Sequence, residues 1–343
     1  MYSIRIVDST DPDRYAASIR PVASDFTVTG RGAFHARSIL FDLGRVYAQR
    51  GCERLARIKH ADVSRPGVMF LTEPGPSVFF NGAEIGINQI AIAGAGESYI
   101  SRSSGATRWG AMTLAKDDMD ALCMIEPGSG THRVSGVTVI TPPPASLAHL
   151  RSLHNYMGCL AETIPEVLTD TELAHDLEHS LIVAMRGLLS TDAERPNSIR
   201  WQHAQFVIHR FLELIRAQPP EPLPIANIGR QLRVSGRTLR GACREILGVS
   251  PRQYVMLRRM QMARCALQKA DPDAARVTDI ATEHGFWELG RFSVNYRQLF
   301  GESPMTTLKG DNVLSRPIRH TNDQVCAKTY RQGHRGINTE GII

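Results

Sequence analysis

A degenerate internal repeat lies towards the C-terminal end of the chain and limits the folds open to it. Leu247-Gly248 and then Ser250-Pro251 recur as Phe300-Gly301 and then Ser303-Pro304, at an offset of 53 residues. Glycine just past a helix end adopts the left-handed cap, and proline then prevents the helix from continuing. The repeat therefore predicts two units, each made of a short helix, a tight turn and a second helix.

The second helix of the first unit, predicted over 235–247, has two different faces. Leu239, Ala242 and Ile246 form a stripe that faces inward. Arg237, Arg240 and Arg244 form a separate stripe that faces outward. A helix fits the major groove of DNA, and the forked guanidinium of arginine can donate twice to guanine. The arginine stripe therefore predicts base contacts, although any one of these arginines can equally belong to an ordinary solvated face.

The second unit repeats this arrangement. Phe292, Tyr296 and Phe300 are expected in its core, with Arg291 and Arg297 on exposed sides. Between the units, residues 250–269 read as one amphipathic helix of about 30 Å. Two helix-turn-helix units that bind the same face of DNA lie ~34 Å apart, which is one turn of the DNA helix. The length is compatible with a single chain contacting two consecutive major grooves.

The net charge of the chain is concentrated in this same region. Residues 224–310 hold 14 lysines and arginines against 7 aspartates and glutamates, a charge of +7, whereas residues 1–223 carry −3 and residues 311–343 carry +2. A basic domain attached to a near-neutral remainder of the chain suggests a polyanionic partner, and nucleic acid is the first candidate. On charge alone, a merely solvated basic surface remains equally open.

Several motifs of the repeat occur in the order and spacing of one known family. Ile280-Ala281, Gly285-Phe286, Phe292, Tyr296, Phe300-Gly301 and Ser303-Pro304 resemble the signature of AraC/XylS-family regulators, and residues 235–254 resemble the family's first unit. The resemblance covers about 85 residues. It implies double-stranded DNA as partner and the following contact residues: Ser235, Arg237, Thr238, Arg240, Arg244, Glu288, Leu289, Arg291, Ser293 and Arg297.

The sequence departs from the family pattern at three positions. Gly241 and Cys243 stand where the family usually has a basic and then an aromatic residue, and Val294 stands where a basic or polar residue is common. Arg240 or Arg244 is therefore expected to take over a role normally played from position 241. An atypical operator is the expected consequence.

The segment from about residue 24 to 140 reads as roughly nine short strands separated by turn residues, with a short helix near 117–124. In layout it is similar to the sensor domains of the same family. The resemblance implies a cupin-like β-domain that binds a small-molecule effector or a protein partner. Candidates to line a pocket are Phe79, Phe80, Tyr99 and Trp109, each of which also fits an ordinary core position.

The expected fold class is α+β, with four parts along the chain. These are a β-rich sensor domain (1–142), a helical connector (143–218), an all-α domain with two helix-turn-helix units (219–310) and a disordered tail (311–343). The first apolar stripe of the connector, Leu147 to Leu160, fits either pairing with a second subunit or packing against its own sheet. A homodimer that contacts RNA polymerase is expected on family grounds.

The remaining signals favour a non-catalytic cytoplasmic protein. The six cysteines have no C-x-x-C or metal-type spacing, which fits a reducing compartment. Neither a signal peptide nor an apolar run long enough to span a membrane is evident. His175, Glu178 and His179 match the H-x-x-E-H motif of inverted zinc proteases, but without a third ligand. We expect no cofactor and no metal, with a hydrolase built on this motif as the alternative from another class.

Overall fold

The structure is a computed structural model that describes residues 2–19, 22–123, 137–165, 171–189, 199–217 and 225–310. The tail predicted to be disordered, 311–343, lies outside the described residues. Within the described parts of the chain, no helix has the length and apolar character needed to cross a membrane.

The N-terminal part folds into two antiparallel sheets. The strands are β1 (Ser3–Ser9), β2 (Val22–Val28), β3 (Ala36–Leu43), β4 (Val46–Glu53), β5 (Arg57–Val63), β6 (Gly67–Leu71), β7 (Val78–Phe80), β8 (Ala83–Ile85), β9 (Ile90–Ala93), β10 (Ser98–Ser103), β11 (Thr107–Leu114) and β12 (Thr138–Ile140). In the described residues one sheet has the order β1-β3-β4-β11-β6-β9-β12 and the other the order β2-β5-β10-β7-β8.

Helices flank the sheets and form the C-terminal part that the structure describes. They are α1 (Pro12–Ser18), α2 (Lys116–Cys123), α3 (Pro144–Thr163), α4 (Thr171–Leu189), α5 (Ile199–Ala217), α6 (Ile225–Leu232), α7 (Gly236–Ala242), α8 (Pro251–Lys269), α9 (Val277–Glu283), α10 (Leu289–Phe300) and α11 (Pro304–Leu308). Helix α7 continues as one wide π-helical turn over Cys243–Leu247. The predicted α+β class is confirmed.

The largest core lies between the outer face of the seven-stranded sheet and helices α3 and α4. Phe41, Phe70 and Met112 of the sheet are fully buried there against Leu150 and Leu181 of the helices. The alternation of buried and half-buried positions in the second half of β3, β4 and β11 produces this apolar face, because successive side chains of a strand point to opposite sides. The first connector stripe thus packs on its own sheet.

Helix α5 packs elsewhere. Its Ile208 and Phe211 are fully buried in the core of the first helix-turn-helix unit, beside Leu239 and Ile246. Ile58 of β5 and Ile100 of β10 join the same core from the sheet side. The last connector helix therefore contributes to the C-terminal helical part and to its contact with the β-domain.

Four elements of the β-domain do not follow from the sequence pattern: strands β1, β4 and β8 and helix α1. The edge strand β1 is mostly exposed, so it lacks the apolar alternation of a half-buried strand. Strand β4 contains the polar Gln49 and Arg50 followed by Gly51, which hide its strand pattern, and it pairs with β3 and β11. Strand β8 has only three residues. Helix α1 has seven residues and begins with Asp11 as its N-cap, too short for a helical period to be visible.

Candidate nucleic-acid interface

The first helix-turn-helix unit is closed by a tight turn and a side-chain cap. Arg233 in the turn has a φ of 55°, and the backbone N–H of Val234 donates to the carbonyl oxygen of Gly229 at 3.0 Å. A Cβ atom at Gly229 would lie 3.0 Å from the carbonyl oxygen of Val234, so a side chain at this position would crowd the turn. Ser235 then begins α7 by accepting a hydrogen bond from the backbone N–H of Thr238 at 3.0 Å.

The two faces of the reading helix separate as predicted. Leu239, Ala242 and Ile246 are buried, while Arg237, Arg240 and Arg244 are exposed. None of these three arginines makes a hydrogen bond or ion pair with another described residue. Their guanidinium groups are therefore free to meet phosphates or base edges. The helix ends at Gly248, whose φ of 72° is the left-handed cap predicted from the repeat.

The second unit is organised around a row of neighbouring aromatic rings. Phe286 lies 4.9 Å from Phe292, Phe292 lies 5.5 Å from Tyr296, and Tyr296 lies 4.6 Å from Phe300. The Tyr296 hydroxyl donates to the Thr307 hydroxyl at 2.8 Å. The predicted core positions of α10 are confirmed, and Gly301 caps the helix with a φ of 77°.

The exposed face of α10 is less basic than that of α7. Arg291 and Arg297 are exposed, and Arg291 is paired with the exposed Glu288 at 2.9 Å. The Ser293 hydroxyl donates to the carbonyl oxygen of Leu289 at 3.0 Å. Leu289 itself is 36% exposed. Within this unit, Glu288 and Ser293 thus already have partners, and Arg297 is the arginine without one among the described residues.

Two exposed apolar side chains in this unit extend the predicted set. Trp287, just before α10, is 71% exposed, and Val294 on the helix is 57% exposed. Large apolar side chains that remain in solvent mark contact surfaces. In the sequence Val294 is visible only as a departure from the family pattern. Trp287 escapes sequence reasoning because an aromatic residue beside Phe286 reads as core.

Helix α8 joins the units and also docks on the β-domain. Its buried residues include Tyr254, Leu257 and Met260, whereas Met262 and Ala266, which the amphipathic pattern also placed on the apolar face, are half-buried. Gln261 donates to Asp13 at 2.8 Å and to the carbonyl oxygen of Phe26 at 2.7 Å. Helix α8 therefore has two roles. It joins the two units, as predicted from the sequence, and it also holds them against α1 and β2.

Asp25 of β2 is the charged centre of this docking contact. It accepts hydrogen bonds from Arg258 of α8 and, at 3.3 Å, from Arg216 of α5. Burial raises the pKa of Asp25, but the two guanidinium groups outweigh burial and hold that pKa below its usual value. The carboxylate is therefore ionised at neutral pH and pairs with both helices.

His60 of β5 completes the contact. Arg216 donates to Nδ1 of His60 at 2.6 Å, and the His60 ring lies 5.8 Å from that of His209. Burial and the neighbouring Arg216 lower the pKa of His60 to about 4. Neutral His60 can accept the hydrogen bond, whereas a protonated ring would face a guanidinium.

The carboxylate of the candidate zinc motif is already engaged in a contact within the fold. Glu178 is buried, and its Oε1 accepts a hydrogen bond from the backbone N–H of Arg45 at 2.5 Å. His175 and His179 are exposed on the same helix. In the described parts of the chain, no group of three metal-ligating side chains is found.

Comparison with known proteins gives one matching family model and several relatives. The family described as "Helix-turn-helix domain" matches residues 228–310. A probable thc operon regulatory protein of Rhodococcus erythropolis is 36% identical over 103 residues, 30% of this chain and 31% of the relative. A XylDLEGF operon transcriptional activator of Pseudomonas putida is 29% identical over 165 residues, 48% of this chain and 51% of the relative.

Solved structures of similar proteins were also found, at 26% identity or less for the two described here. The AraC-like transcriptional activator CuxR has 16% identity and a TM-score of 0.42, over 76% of this chain and 95% of that one. An AraC-type regulator from Chromobacterium violaceum has 26% identity and a TM-score of 0.30, over 33% of this chain and 97% of that one.

The family match agrees with the geometry of the two units. The matched range, 228–310, coincides with the two capped helix-turn-helix units and the helix that joins them. The chain spans about half or less of the length of the two curated relatives described above. Residues 228–310 form a helix-turn-helix domain, and part of the chain is similar to operon regulators.

Proposed function

We propose that this chain is a sequence-specific DNA-binding transcription regulator that activates nearby genes in response to a small effector. The observation that carries the proposal is the row of unpartnered arginines on α7, Arg237, Arg240 and Arg244, which contact no other described residue through a hydrogen bond or ion pair. They project from a helix whose other face is fully buried, as a reader of the major groove requires. The two operon regulators described above make transcriptional control the natural context for this reader.

The contact residues belong to the same proposal. On α7 and its cap they are Ser235, Arg237, Thr238, Arg240 and Arg244, and around α10 they are Glu288, Leu289, Arg291, Ser293 and Arg297. Ser235 and Thr238 cap the helix through their hydroxyl groups, which lie 2.8 Å apart. Their proposed part is to position the helix N-terminus and its backbone N–H groups against a phosphate. The arginines are proposed to read bases.

The roles of the remaining parts belong to the proposal as well. Residues 1–142 are the proposed sensor, 143–218 the connector and 219–310 the reader, with two adjacent major grooves contacted by each chain. A homodimer that contacts RNA polymerase in the cytoplasm, without catalytic activity, completes the proposal. The alternative within regulation is control by a protein partner instead of a small ligand. A metal-dependent hydrolase has no support, since Glu178 is engaged by the backbone of Arg45.

The experiment that tests the proposal measures discrimination between DNA sequences. Duplexes selected from a random pool by the full chain are compared with scrambled duplexes over a series of salt concentrations. We expect selected sites to bind about 10³-fold tighter or more, and the logarithm of the affinity to fall linearly with that of the salt concentration. Equal affinity for selected and scrambled duplexes would overturn the proposal.

A further inference from the structure

The two reading helices, α7 and α10, can be compared position by position. The offset of 53 residues that defines the repeat also aligns their buried side chains. The buried pairs at this offset are Leu239 with Phe292, Cys243 with Tyr296, and Ile246 with Leu299. Both helices therefore use the same positions for packing, and their exposed positions correspond in the same way.

The exposed faces of the two helices carry different chemical groups. Gly290 stands where α7 has Arg237, and a Cβ atom added to Gly290 would meet no described atom within 4 Å. Ser293 stands where α7 has Arg240, and its hydroxyl already donates to the carbonyl oxygen of Leu289 at 3.0 Å. Two of the three arginines on the first reading helix therefore have no counterpart on the second.

Val294 occupies the centre of the exposed face of α10. It lies two residues from Phe292 and two from Tyr296. Two residues turn a helix by about 200°, so the Val294 side chain projects away from the buried face. It is 57% exposed. Its counterpart on α7 is Gly241, so the second helix presents methyl groups at a position where the first has no side chain.

Two arginines flank this apolar centre. Arg291 lies three residues before Val294 and Arg297 three residues after it, so they project on either side of the valine. Glu288 pairs with Arg291, whereas Arg297 has no partner in the described part of the chain. A partner that covers Val294 must therefore also meet positive charge. This arrangement favours DNA, whose phosphates line both edges of the major groove.

The edges of the bases in the major groove offer hydrogen-bonding groups and one apolar group. The apolar group is the C5 methyl of thymine. A valine can neither donate nor accept a hydrogen bond, so against a polar base edge it would displace water without replacing the lost hydrogen bond. The thymine methyl is therefore the base-edge group that suits an exposed valine at the centre of a reading helix.

We propose that Val294 recognises the C5 methyl of a thymine, so that the second unit selects thymine whereas the first selects guanine through its arginines. This recognition rests on the proposed DNA-binding function and names the base that the second unit reads. Because the two units require different bases, the chain lies on its operator in one orientation only.

Replacement of thymine by deoxyuridine tests the proposal, because deoxyuridine lacks the C5 methyl and keeps every hydrogen-bonding group. Each thymine of the selected duplex is replaced in turn, and the affinity of the full chain is measured. From the free energy of burying one methyl group, we expect binding to weaken about fourfold when the contacted thymine is replaced. Unchanged affinity at every thymine would overturn the proposal.

A variant tests whether that methyl group meets this side chain. Val294→Ala removes two methyl groups from an exposed position, so the core is undisturbed. We expect it to bind the thymine duplex about fourfold more weakly than wild type and to lose nothing further with deoxyuridine. Asn295→Ala, at the neighbouring exposed position, is the matched control and should keep the wild-type loss. The proposal is wrong if Val294→Ala is as sensitive to deoxyuridine as wild type.

Contact of the same surface with a protein would give a different result. If Val294→Ala binds every duplex as wild type does, but changes transcription from a template that carries the selected site, the valine contacts a protein and the proposal is wrong.

The same measurements separate this proposal from the function on which it rests. If wild type discriminates between selected and scrambled duplexes but deoxyuridine has no effect, the thymine contact alone is wrong. If wild type fails to discriminate between duplexes, the proposed regulatory function is wrong as well.

Discussion

At the scale of single residues, the reading helix depends on a division between buried and exposed positions. Leu239 and Ile246 hold α7 in the first core, so Arg237, Arg240 and Arg244 project from its opposite, exposed face. The forked guanidinium of arginine can donate twice to guanine, which makes such contacts selective.

Removal of one reading arginine should weaken specific binding in particular. We expect Arg237→Ala to cost about 1–3 kcal/mol on the selected duplex and little on random DNA, because a base contact exists only on the correct sequence. Arg186→Ala, at an exposed arginine of α4, is the matched control and should leave both affinities unchanged. Equal losses on the two duplexes would reassign Arg237 to phosphate contact.

The positions of some of these residues could be predicted from the sequence, and those of others could not. The core role of Phe292, Tyr296 and Phe300 followed from helical spacing, because each helix face is set by local periodicity. The burial of Arg57 and Lys59 could not be predicted, because a strand with two charges reads as exposed until the facing sheet is known. The partners of Glu53 come from three separate elements, and no local pattern identifies them.

At the scale of elements, glycine caps and helix packing determine how the units are built. Gly301 has a φ of 77°, and a Cβ atom there would lie 2.9 Å from the backbone nitrogen of Ala33. Gly241 in α7 is exposed, and a Cβ atom added to it would meet no described atom within 4 Å. A side chain is therefore resisted at Gly301 and readily accommodated at Gly241.

The two alanine substitutions should change stability in opposite directions. Gly301→Ala should lower the free energy of unfolding by about 1 kcal/mol or more, because the left-handed cap and the contact with Ala33 both resist a side chain. Gly241→Ala should raise it by roughly 0.5–1 kcal/mol, because alanine is the better helix former. Urea unfolding of both variants measures the difference. A stabilising Gly301→Ala would contradict the described cap.

Helix α5 gives a second prediction at this scale. Because Ile208 and Phe211 fill the first core, a fragment of residues 199–310 should unfold at higher urea concentration than a fragment of residues 220–310. It should also bind DNA more tightly, since α7 is held in place. Equal midpoints for the two fragments would show that α5 contributes nothing to this unit.

At the scale of the whole molecule, two buried histidines couple stability to pH. Burial and Arg216 lower the pKa of His60 to about 4, and burial with Arg50 lowers that of His154 to about 3. Unfolding restores values near 6.5, so the unfolded chain binds more protons below that pH. The contribution of these two histidines to the free energy of unfolding is therefore fully present above about pH 6.5. It is lost as the pH falls towards 4 for His60 and 3 for His154.

His60→Gln should reduce this dependence on pH. Glutamine can accept the hydrogen bond from Arg216 without titrating, so the variant should lose less stability than wild type between about pH 6.5 and pH 4. Tm measured across that range in both proteins provides the test. Identical slopes would mean that His60 does not contribute to the acid sensitivity.

The relative placement of the parts was also beyond prediction from the sequence. The repeat predicted both reading units and the helix between them, because caps, turns and helical period are local signals. That α8 would dock on β2 through Arg258 and Asp25 depends on residues 233 positions apart. Contacts of this range follow from the complete fold.

Engagement of DNA by both helix-turn-helix units of one chain can be checked by hydroxyl-radical footprinting of the selected duplex with the full chain. We expect two protected segments on one face of the DNA for each bound chain, centred about 10–10.5 base pairs apart, because each reading helix enters its own major groove. A single protected segment, or uniform protection along the duplex, would mean that the two units do not read DNA together.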